Sequence, residues 1–134
     1  MIRFLQLTRT PIEEAALTAG ASASAEFGAV IRFSGVVRGR EGEAVIRGIR
    51  YEAFEAMATH QFQKLFDEMS ARWPAVGSVR LVHRLGFVAA GDASLWVEVS
   101  APHRGEAFAA CQWLIDSMKQ VVPIWKHVEP LEPS

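Results

Sequence analysis

The stretch APHRGEAFAACQWLIDSMKQVVPIWK, residues 101–126, decides how the last quarter of the chain folds. Apolar residues recur in it at every third or fourth position, which is the spacing of one face of a helix. We therefore predict a helix over residues 104–119. The inward positions of that helix are Ala107, Cys111, Leu114 and Met118. Pro123 ends the helix, because the residue before a proline is kept out of the helical conformation. A short strand over residues 124–128 follows.

The residues before this stretch show further strand and helix patterns. Residues rich in β-branched and aromatic side chains predict strands over 2–7, 27–37, 44–54, 79–88 and 94–100. Apolar residues at threes and fours predict a second long helix over residues 55–73. A shorter helix should start at Thr10-Pro11-Ile12-Glu13, with Thr10 as its cap and Pro11 at its first position, and end near Gly20.

Turns at residues 39–42 and 90–92 join neighbouring strands into hairpins. Hairpins together with two long helices indicate an α+β fold around a largely antiparallel sheet. With 134 residues the chain is long enough for one domain with its own core, so we expect a single domain over residues 1–134. Residues 129–134 should form a frayed tail.

The composition excludes several classes of protein. Acidic and basic residues nearly cancel, 15 against 14, unlike the basic excess of a general nucleic-acid-binding protein. No apolar run approaches the roughly 18 residues of a membrane-spanning helix, and the first residues do not form a signal peptide. We therefore expect a cytoplasmic protein that binds neither nucleic acid nor membrane. The single cysteine, Cys111, excludes an internal disulfide and should be a buried structural thiol.

Motifs for cofactors and metals are missing from the sequence. The histidines at positions 60, 83, 103 and 127 are too scattered for the spacing of a metal site. There is no phosphate-binding loop followed by lysine and no dinucleotide-binding glycine motif. We expect neither a metal nor a cofactor.

Lysine is rare in this chain, and its placement is informative. Of three lysines, Lys119 and Lys126 flank a Pro-Ile-Trp segment, whereas arginine supplies the other eleven basic residues. A desolvated amine can lose its proton and attack a carbonyl, which a guanidinium cannot do. The alternative is structural: Lys119 complements a helix C-terminus, and Lys126 is a surface residue on a strand.

Two other basic groups suggest an anionic ligand. Arg38-Gly39-Arg40 lies on a turn that leaves a strand, where arginines and backbone amides can together hold a phosphate. An ordinary hairpin with solvated arginines is the alternative. His103-Arg104 lies where a strand passes into a helix, and free N–H groups at a helix N-terminus favour an anion.

Several short motifs follow one another in a fixed order. They are Gly35-Val36-Val37-Arg38, Tyr51-Glu52, His83-Arg84-Leu85-Gly86, Gly91-Asp92, the segment from His103-Arg104 to Phe108, and Lys119 to Lys126. Together they resemble the large, catalytic subunit of molybdopterin synthase, over about three quarters of the chain.

The resemblance implies a fold, an activity and partners. The fold would be an α+β domain of the α/β-hammerhead type. The activity would be a sulfurtransferase that makes the dithiolene of molybdopterin from a cyclic pyranopterin monophosphate. Sulfur would come from the C-terminal thiocarboxylate of a small ubiquitin-like subunit. The large subunit would be a homodimer within a heterotetramer, and no metal or cofactor would be needed.

The resemblance also implies the roles of individual residues. Lys119 and Lys126 would be the catalytic pair, with Lys119 near the thiocarboxylate carbonyl and Lys126 near the substrate. The residues expected to bind the substrate are Val36, Val37, Arg38, His103, Arg104, Lys119, Lys126, His127 and Val128.

The residues after Lys126 depart from the family pattern. His127-Val128-Glu129 stands where the family usually has a second basic residue and a glutamate, and the family's later acidic-glycine-tryptophan segment is missing. We therefore expect looser substrate binding. The alternative function is a non-catalytic homologue that dimerises and binds a ubiquitin-like protein. A third interpretation is a small RNA- or nucleotide-binding module that uses Arg38, Arg40 and Arg104. The near-neutral net charge of the chain disfavours it.

Overall fold

The structure is a computed structural model, and it describes residues 1–20 and 24–131. Its helices are α1 (Glu14–Ala19), α2 (Glu55–Arg72) and α3 (Arg104–Val121). Its strands are β1 (Ile2–Thr8), β2 (Ala29–Val36), β3 (Arg40–Glu41), β4 (Ala44–Ala53), β5 (Ser78–Arg84), β6 (Gly86–Ala89), β7 (Ala93–Ala101) and β8 (Ile124–Pro130). None of the helices in these described ranges is both long and apolar enough to cross a bilayer.

The strands form two sheets. In the first, with the order β1-β5-β7-β2, β1 runs parallel to β5 while β7 is antiparallel to both of its neighbours. In the second, β4 is central and pairs antiparallel with β3, β6 and β8. The predicted α+β fold, with largely antiparallel sheets and two long helices, is confirmed, and α1 is a short third helix.

Helices α2 and α3 cover one face of the first sheet and bury the main core. Phe62 and Phe66 of α2 are fully buried there with Val97 and Val99 of β7. The whole inward stripe predicted for α3, including Leu114, belongs to the same core, so the period of that helix was predicted correctly. Helix α3 ends at Val121, two residues later than predicted, and its last turn therefore reaches the place where the two sheets meet.

The strand predicted over residues 79–88 is wrong, because the chain changes sheets at Gly86. Strand β5 ends at Arg84 in the first sheet, and β6 begins at Gly86 in the second. Gly86 has φ +82°, a conformation that residues with a Cβ rarely adopt and glycine adopts freely. The break separates the two sheets and leaves His83, near the end of β5, facing the space between them.

The hairpin predicted between the strands over residues 27–37 and 44–54 is wrong, because β2 pairs with β7 in the first sheet and the turn joins β4 to the short strand β3 in the second.

Two further predicted segments need correction. Helix α1 begins at Glu14 and has no side-chain cap, because the Thr10 hydroxyl is hydrogen-bonded to the hydroxyl of Thr8 at 2.9 Å instead. The predicted frayed tail is wrong for its first two residues: β8 extends to Pro130, and Glu129 Oε1 accepts a hydrogen bond from Arg50 Nε at 3.0 Å. Residues 132–134 of that tail lie outside the described residues.

A buried carboxylate ties the first sheet together on its other face. Glu98 of β7 is 3% exposed, and its two oxygens accept hydrogen bonds at 2.8 Å from Arg80 Nε and Arg32 Nε. Arg80 also donates to the carbonyl of Leu17, which holds α1 against the sheet. Burial alone raises the pKa of Glu98, but the hydrogen bonds and positive charges of both arginines outweigh it, and the pKa lies below its usual 4.5.

We expect Glu98→Gln to lower the free energy of unfolding at pH 7 by roughly 3 kcal/mol, because it leaves Arg80, whose side chain is 15% exposed, without its counter-charge. Since the folded-state pKa of Glu98 is depressed, its contribution is present above about pH 4.5 and is lost as pH falls through the folded-state value. The variant should therefore lose less stability than the natural chain between pH 5 and pH 3. Urea unfolding at several pH values measures both effects.

Glu68→Gln is the matched control for this substitution. Glu68 forms an exposed pair with Arg72 one helical turn away, and such pairs contribute at most about 0.5 kcal/mol. Equal losses of stability in the two variants would contradict the role assigned to Glu98.

Candidate active site

A cavity of about 580 Å³ opens where the two sheets meet the C-terminal end of α3. Its wall combines the end of β2 and the turn after it, the middle of β4, the ends of β5 and β7 that face the second sheet, the last turn of α3 and the start of β8. The polar and charged side chains in the wall are Ser34, Arg38, Arg40, Glu41, Tyr51, His83, Ser94, Lys119 and Lys126.

The two lysines predicted as a pair line the same cavity from different elements. Lys119 lies in the last turn of α3, next to Met118 and Val122, which are buried in the core. Lys126 lies on β8 directly opposite Tyr51 of β4, so both side chains project from the same face of the sheet. Both lysines are exposed, and neither amine has an ion-pair partner in the part of the chain that the structure describes.

The Val36-Val37-Arg38 segment enters the cavity because of an irregularity in β2. Gly35 is paired with Leu95, but Val36 is paired with Ala93, so the register shifts between Gly35 and Val36. The chain then leaves the sheet, and all three residues of the segment line the cavity. Val37 is buried in the small core of the second sheet, while Arg38 is exposed. The segment is therefore anchored at its middle residue and free to present its arginine.

A hydrogen-bonded group beneath the cavity was not assigned a role from the sequence. The Tyr51 hydroxyl donates to Ser94 Oγ at 3.3 Å, and Ser94 Oγ donates to the Gly35 carbonyl, also at 3.3 Å. The Tyr51 ring meets the His83 ring edge-on with 5.2 Å between centroids. Tyr51 and His83 stand in motifs that were recognised, but nothing in their spacing predicts that β4 and β5 bring them together.

His83 is held as a neutral side chain. It is 5% exposed, and its Nδ1 lies 2.8 Å from the backbone carbonyl of Arg84. Because a carbonyl oxygen can only accept, Nδ1 carries the proton and donates. Burial lowers the pKa of His83 below 6.5, although the bond to Arg84 opposes that shift. In the neutral ring Nε2 is then an unprotonated acceptor.

The charge of the cavity is strongly positive. Four basic side chains line it, those of Arg38, Arg40, Lys119 and Lys126, against the one carboxylate of Glu41. Arginine and lysine are the side chains that hold phosphates and other oxyanions in proteins. The cavity is therefore suited to an anionic ligand.

His103 and Arg104 do not reach this cavity within one chain. The helix begins at Arg104 as predicted, but Lys119 lies fifteen residues further along α3, which separates the two sites by roughly 22 Å at 1.5 Å per residue. Both residues are exposed, and the His103 side chain makes no capping hydrogen bond. Their predicted role in substrate binding stays a prediction.

His127 and Val128 lie on β8 just beyond the cavity wall. The His127 side chain faces away from Lys126 and lies near Glu52, with 3.4 Å between His127 Nε2 and a carboxylate oxygen. Val128 pairs with Ile49, which lines the cavity. Val128 therefore projects from the cavity-facing side of the sheet and His127 from the opposite side.

Neither a cysteine nucleophile nor a metal site accompanies this cavity. Cys111 is buried in the main core, and burial raises the pKa of its thiol to about 11, which confirms the prediction of a structural thiol. Within residues 1–20 and 24–131, no three histidine, cysteine, aspartate or glutamate side chains cluster as metal ligands would.

Comparison with known proteins agrees with the motifs and the fold. The model of the family described as MoaE protein matches residues 7–121. The chain belongs to this family. The molybdopterin synthase catalytic subunit of Nostoc sp. is 40% identical over 99 residues, which are 74% of this chain and 60% of that protein. The subunit of Pyrococcus abyssi is 36% identical over 116 residues, which are 87% of this chain and 76% of that protein.

Solved structures show the same MoaE fold. The molybdopterin synthase of Staphylococcus aureus has a TM-score of 0.86 and 29% identity, and the match covers 96% of this chain and 92% of that one. A complex of subunits 1 and 2 of the molybdopterin-converting factor from Helicobacter pylori has a TM-score of 0.74 and 24% identity, with 92% and 83% covered. In sequence, the matched part of this chain spans 60%, 68% and 64% of the first three curated relatives.

Proposed function

We propose that this chain is the catalytic subunit of a molybdopterin synthase, a sulfurtransferase of molybdenum cofactor biosynthesis. Its reaction converts a cyclic pyranopterin monophosphate into molybdopterin by forming a dithiolene. The observation that carries the proposal is the cavity in which Lys119, Lys126 and Arg38 meet, in a chain of the MoaE protein family.

The substrate is an anion, and the cavity has the charge to bind it. Arg38 is exposed on a segment anchored by buried Val37, so its guanidinium can approach a phosphate without disturbing the core. The Val37 N–H donates to the Asp92 carbonyl at 3.0 Å and its carbonyl accepts from the Gly91 N–H at 2.8 Å, which fixes the turn that presents Arg38. Val36 and Val37 contribute to the cavity wall beside it. On β8, Val128 extends the wall with its side chain, and His127 contributes through its main chain.

The sulfur donor is the C-terminal thiocarboxylate of a small ubiquitin-like subunit, whose tail enters the cavity. Lys119 lies near the thiocarboxylate carbonyl, where its amine stabilises the developing negative charge or attacks the carbon. Lys126 lies near the pterin. A dithiolene holds two sulfur atoms, so two thiocarboxylate tails become carboxylate tails for each product. The Helicobacter pylori complex is a precedent for a two-subunit assembly on this fold.

The separation of His103-Arg104 from Lys119 supports a homodimer. If both groups bind one substrate, a span of roughly 22 Å along α3 is too long for a single small molecule, so the second group must come from another copy of the chain. A two-fold dimer supplies it twice, once to each cavity. With a small subunit at each end, the assembly is a heterotetramer.

A single-turnover assay tests this function. The purified chain is mixed with cyclic pyranopterin monophosphate and a small ubiquitin-like protein that carries a C-terminal thiocarboxylate, and dithiolene product is measured. We expect one dithiolene for every two thiocarboxylates consumed. Intact binding of the small protein without any product would contradict the proposal and favour the non-catalytic homologue.

A further inference from the structure

The floor of the cavity presents a nitrogen lone pair that sulfur transfer does not use. His83 lines the cavity, and its Nδ1 is occupied by the Arg84 carbonyl at 2.8 Å, which leaves the unprotonated Nε2 as the free position of the ring. Nε2 has no hydrogen-bond partner among residues 1–20 and 24–131. The side chain is only 5% exposed, but Nε2 is not one of the fully buried unpaired atoms, so it can be reached from the cavity that the ring lines.

The other polar side chains around the cavity differ in what they can offer a ligand. The four basic side chains have no lone pair to offer while they are charged. The hydroxyl protons of Tyr51 and Ser94 are already directed, to Ser94 Oγ and to the Gly35 carbonyl, so these hydroxyls can offer a ligand only oxygen lone pairs. Ser34 and Glu41 can also accept, but both are exposed. On the buried side of the cavity, His83 Nε2 is thus the nitrogen acceptor, next to the hydroxyl oxygens of Tyr51 and Ser94.

We propose that His83 Nε2 accepts a hydrogen bond from an N–H group of the bound heterocycle. The basic side chains would then bind the phosphate, and His83 would recognise the heterocyclic ring through this hydrogen bond. This inference rests on the proposed function, since it takes the ligand to be a reduced pterin, whose ring and exocyclic nitrogens carry N–H donors. It makes His83 a residue for substrate specificity and leaves the sulfur chemistry to the lysines.

The fixed tautomer is what gives the site its selectivity. The Arg84 carbonyl holds the proton on Nδ1, and burial keeps the ring uncharged near neutral pH. A ligand ring that presents a lone pair at this point would face the Nε2 lone pair and leave both unpaired. A buried unpaired polar group weakens binding more than a missing contact does, so the site discriminates against such rings.

Two substitutions at His83 separate the proposed contact from its structural surroundings. His83→Asn keeps an amide N–H near the position of Nδ1, for the Arg84 carbonyl, but removes the acceptor at Nε2. His83→Gln places an amide group near the position of Nε2. We expect the dissociation constant of cyclic pyranopterin monophosphate to rise about tenfold in His83→Asn, and His83→Gln to recover part of that loss. Inorganic phosphate, used as a probe of the basic side chains, should bind both variants as it binds the natural chain.

The natural chain provides a measurement that does not depend on either variant folding. With ¹⁵N-labelled histidine, the Nε2 resonance of His83 should shift toward the protonated value when substrate binds and stay in place when phosphate binds. An unmoved resonance would overturn the inference, and so would equal loss of substrate and phosphate affinity in His83→Asn. If the natural chain binds no pterin at all, the proposed function fails and this inference fails with it. If the natural chain and His83→Asn bind pterin equally tightly, the inference alone is contradicted and the proposed function stands.

Discussion

Lys119→Ala should lower the yield of dithiolene in a single turnover by at least about a hundredfold, the scale on which a positioned acid, base or nucleophile acts. The amine is exposed at the cavity, so its removal leaves no buried group unpaired. We expect the free energy of unfolding to change by less than about 1 kcal/mol, since the residue loses only its interaction with the helix C-terminus. Binding of the small subunit should be retained.

Two further variants define what Lys119 contributes. Lys119→Arg keeps the positive charge but cannot lose its proton or attack a carbon. If it is as inactive as Lys119→Ala, the amine itself takes part in the reaction, whereas recovered turnover would assign Lys119 to charge stabilisation. Lys64→Ala removes the one lysine outside the cavity, on exposed α2 surface, and should leave turnover unchanged.

Normal turnover by Lys119→Ala would remove Lys119 from the catalytic pair. In that event its position in the last turn of α3 would have the structural explanation, a cation that complements the end of a helix. The pairing of Lys126 with Tyr51 across β4 and β8 would then make Lys126 the remaining candidate amine.

Local patterns predicted most of the secondary structure, because each pattern depends on neighbours in sequence. The period of α3 follows from its own apolar stripe, and Pro123 gives its end to within a few residues. The break at Gly86 was missed, since a run of β-formers interrupted by one glycine also fits a continuous strand. The parallel pairing of β1 with β5 joins segments about seventy-five residues apart, and no short-range signal specifies it.

The candidate site was predictable only where its residues are chemically unusual. Two rare lysines around a Pro-Ile-Trp segment attract notice in any sequence, and so does an Arg-Gly-Arg turn. Tyr51 and Ser94 are ordinary residues of two strands, and their role depends on a hydrogen bond made across the fold. The distance of His103-Arg104 from Lys119 could be inferred from the predicted helix, because both ends of that helix are in the sequence.

The distance between His103-Arg104 and Lys119 leads to the second prediction with a large expected effect. Two chains that are inactive alone should complement each other in a mixed dimer. Suppose that each cavity of a two-fold dimer is completed by His103-Arg104 of the other chain. A Lys119→Ala chain then lacks the amine in its own cavity but still supplies His103-Arg104 to the cavity of its partner. A chain with His103→Ala and Arg104→Ala has the opposite defect. The dimer made of one chain of each kind contains one complete cavity and one that lacks both groups. We expect about half of the natural activity from it, because one of two sites is intact.

Two different affinity tags, one on each chain, isolate the mixed dimer after co-expression, and single-turnover product is measured per dimer. Each parental homodimer serves as the control and should be nearly inactive. The substitutions at the start of α3 remove exposed side chains that make no capping bond, so they should not unfold the helix. A monomer at working concentration, seen by light scattering, would contradict the arrangement.

The mixed dimer distinguishes two geometries that activity loss alone cannot. If His103-Arg104 acted on the cavity of its own chain, each protomer of the mixed dimer would carry one defect, and activity would stay at the parental level. Recovery requires the two groups to meet across an interface. An intact cavity would then need α3 of one protomer to begin where α3 of the other ends, so that each phosphate is held by the N-terminus of one helix and faces the lysine at the C-terminus of its partner. Dimerisation would in that case be part of the active site, and dissociating the dimer would abolish turnover without unfolding either chain.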